Sequence, residues 1–134
     1  MTKFNKIVGP ILASLLVYST MLTAQDEELL PPEEAFALTA RVEGGALVAE
    51  YQIAPGYYMY RERFDFQIES SDAPARFDVA LIPDGKIKTD EFFGKMETYR
   101  DSVTIKLPII YENTAANRLQ VKAVSQGCAD IGVG

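Results

Sequence analysis

The 134-residue sequence contains no histidine, no tryptophan and a single cysteine, Cys128. Without histidine a Ser–His catalytic triad cannot form. With one cysteine and no histidine, the sequence lacks the Cys and His ligands of the usual zinc-site motifs. The sequence also lacks a glycine-rich phosphate loop and a Gly-x-Ser-x-Gly motif. Carboxylates alone make a weak case for a metal, so we expect neither a metal site nor a cofactor. The chemistry that remains open to this chain is that of its cysteine.

Basic residues are scarce and dispersed. Lys and Arg total 13 against 19 Asp and Glu, which gives a formal net charge of −6 at pH 7. A nucleic-acid interface needs clustered positive charge, and no segment of the sequence provides it. We therefore expect no nucleic-acid partner.

The N-terminal segment has the order of a secretory signal peptide. Lys3 and Lys6 precede an apolar run, and small residues ending at Ala24 come before an acidic stretch that starts at Gln25. An uncleaved membrane anchor is the alternative, but the run is shorter than the ~20 residues of a spanning helix. We predict a signal peptide over residues 1–24, an acidic linker over 25–34 and one domain over 35–134. The predicted compartment is periplasmic or extracellular.

The mature chain alternates apolar and polar residues in several short segments, which predicts strands. Gly44-Gly45 predicts a hairpin turn between the first two strands. The alternation from Phe77 to Leu81 predicts a further strand. We expect seven or so strands in an immunoglobulin-like β-sandwich, an all-β fold with one core. Lys86–Arg100 is instead predicted to be a long polar loop that holds two adjacent phenylalanines.

Four sequence blocks, in this order and spacing, resemble the N-terminal periplasmic domain of the thiol:disulfide interchange protein DsbD. The resemblance covers about residues 31–133. The blocks are Phe36-Ala37-Leu38; Gly56-Tyr57-Tyr58-Met59-Tyr60-Arg61; Asp90-Glu91-Phe92-Phe93-Gly94-Lys95 with Glu97-Thr98-Tyr99-Arg100-Asp101; and Gln126-Gly127-Cys128-Ala129-Asp130.

The resemblance implies an immunoglobulin-like domain that takes electrons from the transmembrane redox domain of a full-length parent. It would pass them to thioredoxin-like periplasmic proteins, in disulfide isomerisation and cytochrome c maturation, as a monomer and without a small-molecule cofactor. Cys128 matches the first of two active cysteines, and Phe92 matches the residue that shields them. The other implied site residues are the cap loop, Asp90, Glu91, Phe92, Phe93 and Gly94, and the site-lining Tyr58, Tyr60, Ala129 and Asp130.

The family pattern has its second cysteine where this sequence has Gly134, and its membrane and C-terminal domains are absent here. A fragment and a natural truncation are both open, and we expect impaired turnover in either case, because release of a mixed disulfide needs a second thiol. A cap loop that brings Asp90 and Glu91 close would disfavour the thiolate, so we expect a slow thiol.

Several residues have a structural alternative to a role in the site. Cys128 could be a buried apolar residue, which would leave a non-catalytic immunoglobulin-like binding module. Tyr58 and Tyr60 could be ordinary core. We expect one of the two phenylalanines of the cap loop to be a buried anchor, and its carboxylates to be solvated. Three arginines are expected at the surface or in ion pairs: Arg61, Arg63 and Arg100.

Overall fold

An antiparallel hairpin opens the domain. In the computed structural model, which describes residues 28–132, β1 (Phe36–Glu43) pairs with β2 (Ala46–Ile53). The turn between them is Gly44-Gly45, where φ is 60° and 77°, a conformation that glycine adopts without steric cost. This is the predicted hairpin. A one-turn helix, α1 (Pro32–Ala35), leads into β1.

Two four-stranded sheets and one two-stranded sheet form the described domain. They contain eight further strands: β3 (Tyr57–Tyr60), β4 (Asp65–Ser71), β5 (Ala75–Phe77), β6 (Lys86–Asp90), β7 (Gly94–Tyr99), β8 (Ser102–Tyr111), β9 (Leu119–Val124) and β10 (Gly127–Ala129). The first sheet has the order β1-β2-β8-β5 and the second β10-β3-β7-β6, while β4 pairs with β9. The predicted all-β, immunoglobulin-like sandwich is confirmed.

The main core lies between the sheets. Its buried side chains come from the first sheet and, through Met59 and Tyr99, from the second. Residues of the β4–β9 pair, among them Phe66 and Val121, pack against it. The buried members are Leu47, Tyr51, Ile53, Met59, Tyr99, Val103, Ile105, Leu107 and Ile109.

The strand β3 is buried on both faces, and this creates a second, smaller core. Successive side chains of a strand point to opposite faces. Met59 therefore joins the main core with Tyr57 packed against it, whereas Tyr58 and Tyr60 enter a separate cluster. That cluster contains the cysteine.

Two predictions from the sequence are wrong in detail. Lys86–Arg100 is mostly the β6–β7 hairpin rather than a long loop, because its polar residues pair with one another along two strands. The strand predicted from Phe77 to Leu81 is not formed: β5 ends at Phe77, and Leu81 makes an isolated bridge to Lys106. Within the predicted linker, residues 32–34 belong to α1.

The predicted signal peptide falls outside the described residues, as do the first residues of the linker and the last two of the chain. Among residues 28–132, no helix is both long and apolar enough to cross a membrane.

Candidate functional site

The cysteine lies on the short strand β10, which pairs antiparallel with β3. Cys128 is directly opposite Tyr58, and Ala129 is opposite Tyr57. Main-chain bonds continue the ladder at both ends, from the Tyr60 amide to the Gln126 carbonyl (3.1 Å) and from the Asp130 amide to the Gly56 carbonyl (2.8 Å). Directly opposed residues of such a pair project to the same face, so the cysteine and Tyr58 are neighbours.

The glycine before the cysteine is required by this close pairing. A Cβ atom at Gly127 would lie 2.6 Å from the Tyr58 carbonyl oxygen and would overlap the Phe36 ring. Phe36 packs against the main core, so its ring has little room to move. The strand that carries Cys128 therefore approaches β3 more closely than any other residue type at position 127 would permit.

Cys128 belongs to a buried cluster with two tyrosines and a methionine. Its side chain is 2% exposed, and Tyr58, Tyr60 and Met96 are each less than 8% exposed. The two tyrosine rings meet edge to face with their centroids 5.5 Å apart. Both tyrosines were predicted from the sequence, but Met96 was not, because it lies on β7 within the segment that was predicted to be a loop.

A buried carboxylate joins the two tyrosines. Asp90, at the end of β6, is only 3% exposed. The hydroxyl groups of Tyr58 and Tyr60 each donate to its Oδ2 at 2.6 Å. The backbone amides of Phe92 and Phe93 donate to its Oδ1 at 2.6 and 3.0 Å. The prediction that Asp90 is solvated is therefore wrong, whereas Glu91 is exposed as predicted.

These hydrogen bonds decide the charge of the cluster. Burial alone would raise the pKa of Asp90, but the bonds from Tyr58, Tyr60 and the two amides lower it from its usual 3.8 to about 2. Burial raises the pKa of both tyrosines, and the bond to Asp90 and the neighbouring Cys128 raise it further. At neutral pH the cluster thus holds one ionised carboxylate and two neutral phenols beside the thiol.

The cap loop, residues 90–94, is a tight turn that closes the β6–β7 hairpin. Asp90 pairs with Gly94, whose φ of 79° suits the turn. Phe93 packs edge to face on Tyr60, with centroids 5.2 Å apart, yet Phe92 and Phe93 are 50% and 39% exposed. The prediction that one of them is a buried anchor is wrong, because both lie in the turn at the end of the β6–β7 hairpin and are more than a third exposed. Shielding of the cysteine by Phe92 stays a prediction.

The cap loop also lies near the segment that follows the cysteine. A Cβ atom at Gly132 would sit 3.0 Å from Oε1 of Glu91. Gly132 has a φ of 93° and its amide donates to the Ala129 carbonyl (2.9 Å). The turn after β10 and the cap loop therefore meet at one end of the domain.

Cations surround the cluster. Arg100 binds Asp130 with two hydrogen bonds, Nη2 to Oδ1 at 2.6 Å and Nη1 to Oδ2 at 3.1 Å. Its guanidinium carbon lies 5.1 Å from the centre of the Tyr58 ring, and Nζ of Lys88 lies 5.0 Å from the same centre. Arg63 sits 4.6 Å from the centre of the Phe93 ring. The prediction that the three arginines lie at the surface or in ion pairs is confirmed: Arg100 pairs with Asp130, Arg61 pairs with Glu97 at 3.0 Å, and Arg63 is exposed.

The N-terminal residues cover another side of the cysteine. The Leu30 amide donates to the Tyr57 hydroxyl at 2.8 Å. Leu29, Leu30 and Phe36 border a cavity of about 90 Å³ that Cys128 also lines. The described part of the predicted linker is therefore packed on the domain. Within the described range, no group of three or more Cys, Asp or Glu residues could hold a metal ion.

Comparison with known proteins agrees with this geometry. Residues 26–133 match the family model described as thiol:disulfide interchange protein DsbD, N-terminal. The crystal structure of the Neisseria meningitidis DsbD N-terminal domain in the reduced form superposes with a TM-score of 0.68 at 30% identity, covering 78% of this chain and 80% of that one. A structure of the complex between the DsbD N-terminal and PilB N-terminal domains of N. meningitidis gives 0.63 at 29% identity, covering 80% of each chain.

Two curated relatives give the same result. The chain is 35% identical over 128 residues to a thiol:disulfide interchange protein DsbD of Ralstonia nicotianae, covering 94% of this chain and 20% of the relative. It is 38% identical over 114 residues to DsbD 2 of Pseudomonas aeruginosa, covering 82% and 17%. The chain thus spans about a fifth of the length of the curated relatives it matches. It belongs to the family of DsbD N-terminal domains.

Proposed function

We propose that this chain carries out thiol–disulfide interchange with partner proteins, and that Cys128 is its nucleophile. Family membership supports this, as does the environment of the thiol. The observation that carries the proposal is the double use of Asp90. Its Oδ2 binds the two tyrosines beside Cys128, and its Oδ1 binds two amides of the cap loop. One buried carboxylate thereby ties the cap loop to the strand opposite the thiol.

The reaction begins with attack of the Cys128 thiolate on one sulfur of a partner disulfide. The bond between the two partner sulfurs breaks, and a new bond forms between Cys128 and the attacked sulfur. The second partner sulfur leaves as a thiolate and takes a proton from water. The product is a mixed disulfide, in which no electrons have been lost or gained overall.

The second step needs another thiol. In the family pattern a second cysteine stands at the position of Gly134, and its attack on the mixed disulfide would release a reduced partner and leave an internal disulfide. The printed sequence has one cysteine. We therefore propose that a protein of these 134 residues proceeds to the mixed disulfide and turns over poorly beyond it.

The cap loop would regulate access to the thiol. Cys128 is 2% exposed, so a partner disulfide has little access to its sulfur. We infer that the thiol reacts slowly while the cap loop is closed, and that a docked partner opens it. A covered thiol of this kind suits a carrier that reacts with selected proteins better than a general reductant.

We propose thioredoxin-like periplasmic proteins as the partners, together with the transmembrane redox domain of a longer parent protein, and a monomeric state. The complex of a related N-terminal domain with the PilB N-terminal domain supports a protein partner. The compartment would be the periplasm, where oxidising conditions favour disulfide chemistry. Disulfide isomerisation and cytochrome c maturation would be the processes served.

The proposed layout is a signal peptide over residues 1–24, a linker over 25–34 and the domain over 35–134. Mass spectrometry of the exported chain should give an N-terminus near Gln25, because cleavage follows the small residue Ala24. A mature product that retains Met1 would contradict the signal peptide.

The function can be tested by trapping the mixed disulfide. The chain is incubated with an oxidised thioredoxin-like protein, and adducts are separated on a non-reducing gel, with Cys128→Ala as the control. We expect an adduct that accumulates and is released by dithiothreitol, and none with the control. If the thiol reacts with a small disulfide in urea but no protein adduct forms in the native state, a non-catalytic binding module takes the place of this proposal.

A further inference from the structure

The ion pair next to the cysteine is better placed than the other ion pairs of the described domain to act on the site. Arg100 and Asp130 form two charged hydrogen bonds in parallel, which fixes both distance and orientation. The pair raises the pKa of the arginine and lowers that of the aspartate through these bonds. Asp130 is two residues beyond Cys128, so its position bears directly on that of the thiol.

Arg100 itself is held by a rigid turn. It lies between β7 and β8, where Asp101 adopts a φ of 68°. The Ser102 amide donates to the Arg100 carbonyl at 2.7 Å, and the Ile53 amide donates to the Asp101 carbonyl at 2.8 Å. The turn joins the sheet that carries the cysteine to the sheet that forms most of the main core. The arginine therefore projects from a fixed part of the domain.

Among the described residues, the segment after the cysteine is held by few bonds. β10 is three residues long and lies at the edge of its sheet. Ile131, which follows it, is 56% exposed. The main-chain bonds described for residues 130–132 are those of the Asp130 amide to Gly56 and of the Gly132 amide to Ala129. The side-chain bonds between Asp130 and Arg100 therefore have a large share in holding this segment.

The guanidinium of Arg100 contacts three parts of the site at once. Besides Asp130, it donates to the Tyr57 carbonyl at 3.3 Å, in the residue paired with Ala129. It also lies over the ring of Tyr58, the residue paired with Cys128. A cation over an aromatic ring is favourable by electrostatics. One side chain thus spans both strands on which the thiol depends.

We propose that Arg100 is a positioning residue for Cys128. Through the paired bonds to Asp130 it holds the cysteine segment against β3, so that the thiol stays covered until a partner docks and then meets the partner disulfide in one geometry. The covering of the thiol does not depend on the proposed function, whereas the geometry of its reaction with a partner disulfide does. Lysine should not replace arginine here, because an ammonium group cannot form the two parallel bonds.

The first test measures the rate at which iodoacetamide alkylates Cys128 in the native chain. Arg100→Gln should raise this rate about tenfold, since an exposed bidentate pair together with a cation–π contact is worth ~1.4 kcal/mol. Asp130→Asn, which leaves the cation–π contact, should raise it by a smaller factor, about threefold. The double variant should react no faster than about twice Arg100→Gln alone, because both changes remove the same ion pair. Arg100→Lys should resemble Arg100→Gln rather than the parent chain.

The matched control breaks an ion pair on the strand β7, which ends just before Arg100. Glu97 accepts a bond from Arg61 at 3.0 Å and one from the Gly85 amide at 2.6 Å, and neither partner belongs to the cluster of Cys128. Glu97→Gln keeps an acceptor oxygen and should leave the alkylation rate within about twofold. The proposal is overturned if Arg100→Gln and Glu97→Gln change the rate equally, if Arg100→Lys restores it, or if the two single effects add in the double variant.

The second test is formation of the mixed disulfide with an oxidised thioredoxin-like protein. Arg100→Gln should slow adduct formation several-fold although it speeds alkylation. The variant exposes the thiol, which favours a small reagent, but it also loosens the orientation that a docked partner disulfide requires. If the parent chain itself forms no adduct, the proposed function fails, while the alkylation series still decides whether Arg100 restrains the segment. If Arg100→Gln speeds both reactions, the residue covers the thiol without positioning it, and the proposal is overturned.

Discussion

Replacing Asp90 by asparagine should destabilise the domain by about 2–4 kcal/mol. Asparagine keeps the shape of the side chain but removes the charge and one of the two acceptor oxygens. Hydrogen bonds to a charged group contribute ~1.5–3 kcal/mol, against ~0.5–1.5 for neutral partners. Asp90 accepts four such bonds, two from tyrosines and two from cap-loop amides. The amides can stay bonded to the remaining oxygen, so the loss falls mainly on the tyrosine side.

The measurement is urea unfolding, with the midpoint and the slope fitted together. The neighbouring Glu91→Gln provides a control, because it makes the same chemical change at an exposed position of the same turn and should stay within ~0.5 kcal/mol. Tyr60→Phe should cost about 1.5–3 kcal/mol. The double variant Asp90→Asn, Tyr60→Phe should lose less than the sum, since the two residues share a bond.

Two results would refute this account of the cluster. Equal stability of Asp90→Asn and Glu91→Gln would mean that the buried carboxylate stabilises nothing. Strict additivity in the double variant would mean that the 2.6 Å bond between Tyr60 and Asp90 carries no coupling energy. A change in the unfolding slope, by contrast, would indicate an altered native or unfolded state and would require the hydrogen exchange of the cap loop to be measured as well.

Three further predictions concern the stability of the domain in acid, the packing at Gly127 and the shielding of Cys128. The folded-state pKa of Asp90 is lowered to about 2 from its usual 3.8. The stability that the ionised carboxylate contributes is therefore complete above pH ~4 and is lost as the pH falls towards 2. The urea midpoint of the parent chain should fall between pH 5 and pH 2, and it should fall less in Asp90→Asn. Gly127→Ala should cost about 1–3 kcal/mol through overpacking, and an unchanged melting temperature would contradict the tight pairing of β10 with β3. Phe92→Ala should speed native alkylation of Cys128, whereas Ile87→Ala, at an exposed position of the same hairpin, should not; equal rates for the two would mean that Phe92 covers nothing.

The strands that the sequence predicted correctly are those in which apolar residues recur at every second position. The alternation at Val103–Ile109 corresponds to buried and less buried positions in turn. Leu47–Ile53 was predicted by the same pattern, although Val48 is buried as well, and Gly44-Gly45 marks the turn before it. The β6–β7 hairpin was missed because lysines occupy three of its positions and leave little apolar signal. Lys86 and Lys95 are exposed and Lys88 is half-buried. An antiparallel sheet can keep one face in water, so its strands need fewer apolar residues.

The sequence predicted which residues form the candidate site better than it predicted the hydrogen bonds between them. The resemblance to a known family pointed to Cys128, the cap loop and two tyrosines. The burial of Asp90 could not be predicted from local sequence, because its hydroxyl partners lie 30 and 32 residues away and meet it only once β3, β7 and β6 are side by side. An adjacent pair of loop carboxylates is usually solvated, but here Asp90 is buried and Glu91 is exposed.

The two-sided burial of β3 explains why the strand reads Tyr-Tyr-Met-Tyr without a polar break. Met59 serves the main core, and Tyr58 and Tyr60 serve the site. Phenylalanine would fill the same space, but only a phenol can donate to Asp90. The network also has a weak side. If residues 91–94 moved away, the two amide bonds from Phe92 and Phe93 would break, while the two tyrosine bonds would hold the Asp90 carboxylate in place. We therefore expect these four residues to move without unfolding the cluster beneath them, which is the property that a covered but usable thiol requires.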